Sequence, residues 1–487
     1  MSQPAGAARP AAALLFCAAL AGCAARPAPA PSPWHGGIDT LALRAHTFFL
    51  ASDLLLGRAT GSEGAALAAL YIEAQCRGLG LAPVDGAYTH PVPLESVTPV
   101  SDSTWLDIGG ERFALSDEVL ITAGVRAALH GFRGPPVYAG TADHIRAHPE
   151  SLPPLDGRVA IVGGTVRRDA ADLLASRGVV GIVQVVDDAA TFALYVASRG
   201  QKLTLTADSG VVSSFYTTLP SVLVGPRTVP ALRAALRAGR PVELTVTFTT
   251  RPLPARNVAC LLPGDAAAER DTAIALTAHL DHLGISIPDA SGDSIYNGFS
   301  DNAAGVAMLL AIGKAIREGP RGALHHSVLF LFFTGEERGL LGSDYFVAHP
   351  SYPLDRIRAV INLDAGAPPA RPWTWRVAGG TNNPLGALAA DVAAAQGWSI
   401  TTSPPTANSD YFPFARRGVP AIFIIPGPAP YEGLSADSSQ ALRRRWDRYH
   451  QPSDAFYEDF SFIGLQRYAE YAYRIAVAVD GKDGGRP

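Results

Sequence analysis

The rhythm of hydrophobic and polar positions changes twice along this chain. From Asp39 to Leu79 the apolar residues recur with helical spacing, interrupted at Gly57-Arg58-Ala59-Thr60-Gly61-Ser62. A second helix over residues 65–77 is expected to end at Gly78 and Gly80. From about Leu94 the texture becomes short apolar runs punctuated by turns: residues 158–162, 179–186, 221–224 and 242–248. These predict the strands of a small β-rich module. From Asn257 onward, strand, loop and helix alternate. Residues 273–278, 327–333, 359–363 and 421–425 are near-continuous apolar runs, as in strands buried on both faces. Helical patterns such as 303–317 fall between them. The expectation is an α/β fold with a mostly parallel central sheet and helices on both faces. No repeat of solenoid period is present.

Composition narrows the classes. The chain has 487 residues, 48% hydrophobic and 17% charged, so a large core is available. A net charge of −4 gives no electrostatic footprint for nucleic acid. The first residues read as a targeting segment. Arg9 is followed by apolar residues 11–20, whereas a spanning helix needs about 20 residues. Leu20-Ala21-Gly22-Cys23 then resembles a bacterial lipobox. That resemblance implies cleavage before Cys23, acylation of Cys23, and an exported protein lipid-anchored to the cell envelope. Ala24 in place of aspartate implies the outer membrane, facing periplasm or surface. The alternative is an ordinary secretory signal with an incidental cysteine. The Ala/Pro run 24–33 would be a semi-rigid tether. Of the remaining cysteines, Cys76 and Cys260 are expected as two buried thiols, with a disulfide as the alternative. Nothing in the sequence indicates an oligomeric state.

Metal-competent side chains stand beside the strongest apolar runs. His279, Glu336 with Glu337, and Asp364 each follow a predicted strand, and Asp301 sits where the next helix begins. Sites in open α/β sheets lie at the carboxyl edge of the strands, so these residues should meet there. His450, after Tyr449, adds a second imidazole. Two imidazoles and three carboxylates suit a pair of borderline divalent ions such as Zn²⁺. Asp301 can bridge two ions, since a carboxylate has two oxygens. His279 and Asp364 would complete one, Glu337 and His450 the other, and two such ions share a hydroxide and polarise a carbonyl. Neighbours in extended chain point apart, which frees Glu336 as general base. Asp281 is the candidate to orient the His279 imidazole. Ser409-Asp410-Tyr411 precedes the last buried strand; Asp410 and Tyr411 are candidates for the substrate pocket, a loop cap being the alternative for Asp410. Asp454 is a weaker supporting candidate. His282 reads as structural, His325 and His326 as surface residues or the start of a strand, and Gly163-Gly164 as a turn.

Taken in order, His279-Leu280-Asp281-His282-Leu283-Gly284, Ser300-Asp301-Asn302-Ala303-Ala304-Gly305, Gly335-Glu336-Glu337-Arg338-Gly339-Leu340-Leu341-Gly342-Ser343, Asn362-Leu363-Asp364 and Tyr449-His450 resemble the co-catalytic zinc aminopeptidase family. Glutamate carboxypeptidase II and the transferrin receptor ectodomain are relatives. The resemblance implies two zinc ions per chain, ligands His279, Asp301, Glu337, Asp364 and His450, and release of N-terminal residues from peptide substrates with Glu336 as base. More loosely, Asp156-Gly157-Arg158-Val159-Ala160-Ile161-Val162 and residues 178–185 resemble a protease-associated domain. The expected division is a signal over 1–22, a tether over 23–37, the N-terminal part of the peptidase domain over 38–115, the insert over 116–252, the catalytic domain over 253–480 and a tail over 481–487. Alternatives keep the metals but change the reaction to that of a carboxypeptidase, a dipeptidase or a glutaminyl cyclase-like enzyme. Arg371, Arg376, Arg416 and Arg417 are the cations available to bind a substrate carboxylate. A non-catalytic binding protein like the transferrin receptor is a further alternative, disfavoured by the intact ligand set.

Overall fold

A computed structural model describes residues 37–115, 118–122, 128–197, 202–267, 270–319, 324–446 and 448–481. The lipobox, Cys23, most of the tether and the C-terminal tail lie outside the described residues.

The apolar runs form the middle of one mixed sheet. Its order is Ala82–Pro83, Arg256–Leu262, Ser327–Phe333, Ala273–His279, Ile357–Leu363, Ala421–Pro426, Thr374–Ala378 and Ser399–Ser403, with Thr89–Pro91 also on the Arg256–Leu262 strand. The four strands from Ser327–Phe333 to Ala421–Pro426 run parallel, and antiparallel pairing flanks them on both sides. Both faces are covered. Ile274, Leu276, Phe330 and Ile361 pack with the helices Thr40–Leu50, Glu63–Gly78, Ala304–Glu318 and Ile463–Asp480. Ala275, Leu329, Leu331 and Val360 pack on the opposite face with Phe346 and Phe414 from Leu341–Ala348 and Tyr411–Arg416. This two-sided burial is why the strands read as continuous apolar runs. The segment Phe299–Glu318 is apolar and long enough to cross a membrane, yet 83% of it is buried in this core.

The predicted elements hold with shifted ends. The first helix stops at Leu50, and the break begins there with a 3₁₀ segment, Asp53–Arg58. The run 242–248 is split between two strands, Val242–Thr245 and Phe248–Leu253. The middle of the chain is also less purely β than expected. A five-stranded sheet, Val119–Ile121, Ser221–Val224, Gly181–Val185, Val159–Gly163 and Pro136–Thr141, is accompanied by helices Arg168–Ser176 and Val229–Ala238. Strand Leu94–Pro99 pairs with Phe248–Leu253, and Trp105–Ile108 with Val242–Thr245. Residues 94–115, placed with the main domain above, therefore pair inside the module's own sheets. Their short alternating runs resemble the later strands more than the long buried ones.

Cys76 and Cys260 are bridged across 184 positions, which corrects the expectation of two free thiols. Both residues are fully buried between helix Glu63–Gly78 and strand Arg256–Leu262. Partners so distant along the chain are brought together only by the fold, so sequence spacing did not reveal them.

Candidate metal centre

Register carries the predicted residues to one edge. His279 ends its strand opposite Phe333, and Thr277 faces Asn362 on the other side. Glu336, Glu337 and Asp364 therefore leave the sheet beside His279. The chain crosses over the His279 strand in passing from Ser327–Phe333 to Ile357–Leu363, which opens a crevice at that point. Asp301 comes from the irregular turn Phe299–Ala303 that leads into helix Ala304–Glu318. Gly298 permits this turn: its φ is +61°, and a Cβ there would lie 2.2 Å from the Asp301 carbonyl and 2.6 Å from the His282 ring.

Two groups of donors result, and they share Asp301. On one side His279 Nε2 lies 2.9 Å from Asp364 Oδ1 and 3.0 Å from Asp301 Oδ1. On the other, His450 Nε2 lies 3.1 Å from Asp301 Oδ2 and 3.2 Å from Glu337 Oε2. His282 joins this second group, with Nδ1 2.6 Å from Glu337 Oε1 and 3.9 Å from Asp301 Oδ2. Within each group the donor atoms all lie within 4.8 Å of one another. His450 Nε2 is buried and faces both carboxylates. The carboxylates and imidazole nitrogens of these two groups form a donor set that fits divalent cations. Glu336 belongs to neither group.

Supporting contacts fix these side chains. The His279 ring is held through Nδ1 by the backbone carbonyl of Asp281 at 3.0 Å, not by the Asp281 carboxylate, whose Oδ1 is 3.9 Å away. That carboxylate instead accepts from the Thr60 hydroxyl and, at 3.3 Å, from the Glu336 N–H. Side chains two apart on an extended segment share a face, but the loop after His279 turns and swaps carbonyl for carboxylate. Asp364 accepts from Ser409 Oγ, which accepts from Asn362 Nδ2 at 2.7 Å, whose own oxygen accepts from Thr277 Oγ1 at 2.6 Å. Asp454 accepts from the N–H groups of Ser300 at 3.0 Å and Asp301 at 3.2 Å, and so anchors the aspartate that the two groups share. Arg58 is buried, donating to the carbonyls of Leu280 at 3.0 Å, Asn297 at 2.6 Å and Gly298 at 3.1 Å, and to Leu50. The break after the first helix is thus the floor beneath the site.

Electrostatics follow from crowding. Burial disfavours the His279 cation, but Asp364, Glu336 and Asp301 hold its pKa well above the usual imidazole value. Against burial, the carboxylates of Asp301 and Glu337 raise His450 to about 10. Asp301 is held well below the carboxylate range by His279 and His450, despite burial. Burial, reinforced by Asp364, Glu337 and Asp410, raises Glu336 well above that range against the pull of His279. Burial pushes Asp454 up to about 7 and Asp410 up to about 8.

Two pocket candidates are displaced. Asp410 is fully buried and accepts from Ser343 Oγ, and Tyr411 is a core side chain whose hydroxyl accepts from Thr406 N at 2.8 Å. His282, read as structural, is brought into the donor group, a place its sequence neighbours did not signal. His325 and His326 sit at the start of strand Ser327–Phe333 as expected, both on Asp480. Arg371, Arg376 and Arg417 are exposed, and Arg416 donates to Ser213 O and Ser214 Oγ instead.

Comparison with known proteins adds four findings. A 73-residue stretch is 40% identical to a probable leucine aminopeptidase 2 of Aspergillus oryzae, covering 15% of this chain and 14% of that protein. A stretch of 189 residues is 29% identical to Aminopeptidase Y of Saccharomyces cerevisiae, covering 37% of this chain and 34% of that one. The chain thus spans about a third or less of the length of these curated relatives. An aminopeptidase from Aneurinibacillus sp. strain AM-1 shares the fold, with a TM-score of 0.55 at 22% identity over 92% of this chain and 96% of that one. The matched family covers the segment that carries the whole donor set: residues 257–475 match Peptidase family M28.

Proposed function

We propose that this protein is a zinc metallo-aminopeptidase that releases N-terminal residues from peptides. The family match and the aminopeptidase relatives support a peptide-bond hydrolase. The observation that carries the two-metal reading is the division of donors into two groups joined by Asp301. His279 and Asp364 would hold one zinc, Glu337 and His450 the other, with Asp301 between them and His282 fixing Glu337. Zinc ions at such a site supply Lewis acidity toward the scissile carbonyl and toward water. The protein supplies the rest. Glu336, outside both groups, takes a proton from the attacking water and returns it to the leaving amine. Asp281 positions the Glu336 backbone, and Asp454 and Ser409 keep Asp301 and Asp364 in place.

Residues 94–253 would be a protease-associated-like insert, and Cys23 a lipid attachment point holding an exported enzyme at the cell envelope. The test is hydrolysis of amino-acid anilides with a free amine beside the same substrates blocked at nitrogen. Cleavage of free-amine substrates alone supports the aminopeptidase. Cleavage of blocked peptides would move the assignment to a carboxypeptidase or endopeptidase.

A further inference from the structure

One stretch of the module reaches the catalytic segment. The carbonyl of Ser209 lies 2.7 Å from His349 Nε2, and Ser214 N donates to Asp344 Oδ2 at 2.6 Å. Arg168, from the module, binds the carbonyls of Ser213 and Tyr216, while Arg416, from the catalytic side, binds Ser213 O at 3.2 Å and Ser214 Oγ at 3.1 Å. Ser213 Oγ accepts from the N–H groups of Phe215 and Tyr216, which tightens the turn. This strap therefore has a fixed seat.

At its end the Tyr216 ring lies flush on Gly339. A Cβ at Gly339 would fall 2.3 Å from Tyr216 Cε2 and 3.0 Å from Cζ. Gly339 is three residues after Glu336 and follows Arg338. Phe215 packs edge-to-face on Tyr216 at 4.9 Å and holds the ring plane. The phenol also feels Arg338 and Glu336: burial raises its pKa, with Arg338 pulling it down and Glu336 pushing it up. Arg338 is half-buried.

We propose that Tyr216, carried in by the module, is a specificity-determining residue that walls the subsite for the residue on the leaving side of the scissile bond. The assignment of side rests on the peptidase reading above: the base must hand its proton to the leaving amine, so the wall beside Glu336 lines that half of the substrate. An aromatic face suits bulky apolar or aromatic leaving residues.

The test is steady-state kinetics of the zinc-loaded full chain on leucyl-phenylalanine and leucyl-glycine, for wild type, Tyr216→Phe and Tyr216→Ala. The wild type should favour the phenylalanine dipeptide, and Tyr216→Phe should keep that preference. Tyr216→Ala should reduce the ratio of kcat/KM values by roughly tenfold, mostly through KM. An equal fall of kcat on both dipeptides, or an unchanged ratio in Tyr216→Ala, overturns the subsite while leaving the peptidase intact. If the wild type cleaves neither dipeptide nor any free-amine anilide, the peptidase reading fails and the subsite with it. Tyr216→Phe guards against a folding defect, because it preserves the packing on Gly339.

Discussion

A carboxylate has two oxygens and so can join two ions, and Asp301 divides its oxygens between His279 and His450. Asp301→Ala should therefore lose more bound metal than substitution of any residue serving one group, as zinc analysis of the purified variants would read. Glu336→Gln should lower turnover by several orders of magnitude, with zinc content near wild type, since Glu336 lies outside both groups. Loss of metal in that variant would assign Glu336 as a ligand. The same crowding sets a proton count. Without metal, the surrounding carboxylates hold His279 and His450 above the usual imidazole pKa, His450 at about 10, which favours the protonated form of both. A cation must displace those protons. Zinc affinity should rise with pH, and calorimetry in buffers of different ionisation enthalpy should show proton release on binding. Binding without proton release would contradict this.

Elements were more legible than supports. Long apolar strands buried on both faces announce themselves in the sequence, and residues at their ends share a common edge, which singled out His279, Glu337 and Asp364; Asp301 was marked by the start of the next helix, and His450, after no predicted strand, rested on the family resemblance. The supports are scattered. Arg58 and Thr60 lie in a Gly-rich break more than 200 positions before the site, and nothing local marks them as its floor. Tyr216 lies in a loop without periodicity. At this scale Asp480 offers a test. It closes the C-terminal helix onto the start of strand Ser327–Phe333, accepting from His325 N at 3.0 Å and His326 N at 2.8 Å, and from both imidazoles. Those bonds hold its pKa below the usual value despite burial. A depressed carboxylate stabilises the fold above its unfolded pKa and loses that contribution as pH falls through the folded one. Asp480→Asn should cost about 1.5–3 kcal/mol at neutral pH by urea denaturation, and the difference should vanish in strong acid. A deficit that persists in acid would show a packing effect instead.

For the molecule as a whole, the disulfide encloses the entire module between Cys76 and Cys260. In the chain-entropy model, closing so long a loop contributes up to about 5 kcal/mol by restricting the unfolded chain. Reduction, or the double Cys→Ser variant, should lower the denaturation midpoint with little change in activity under native conditions. The covalent tie leaves the sheet edge where the donors meet untouched. The module then has two bonds to the catalytic segment's function: the bridge around its ends and the strap that seats Tyr216 near Glu336.

The most direct check of the central claim is a zinc titration of metal-stripped protein, with hydrolysis of a leucine anilide followed at each addition. Full activity should require two zinc equivalents per chain. Full turnover at one equivalent, or turnover that survives stripping, would contradict a site built as two groups around Asp301.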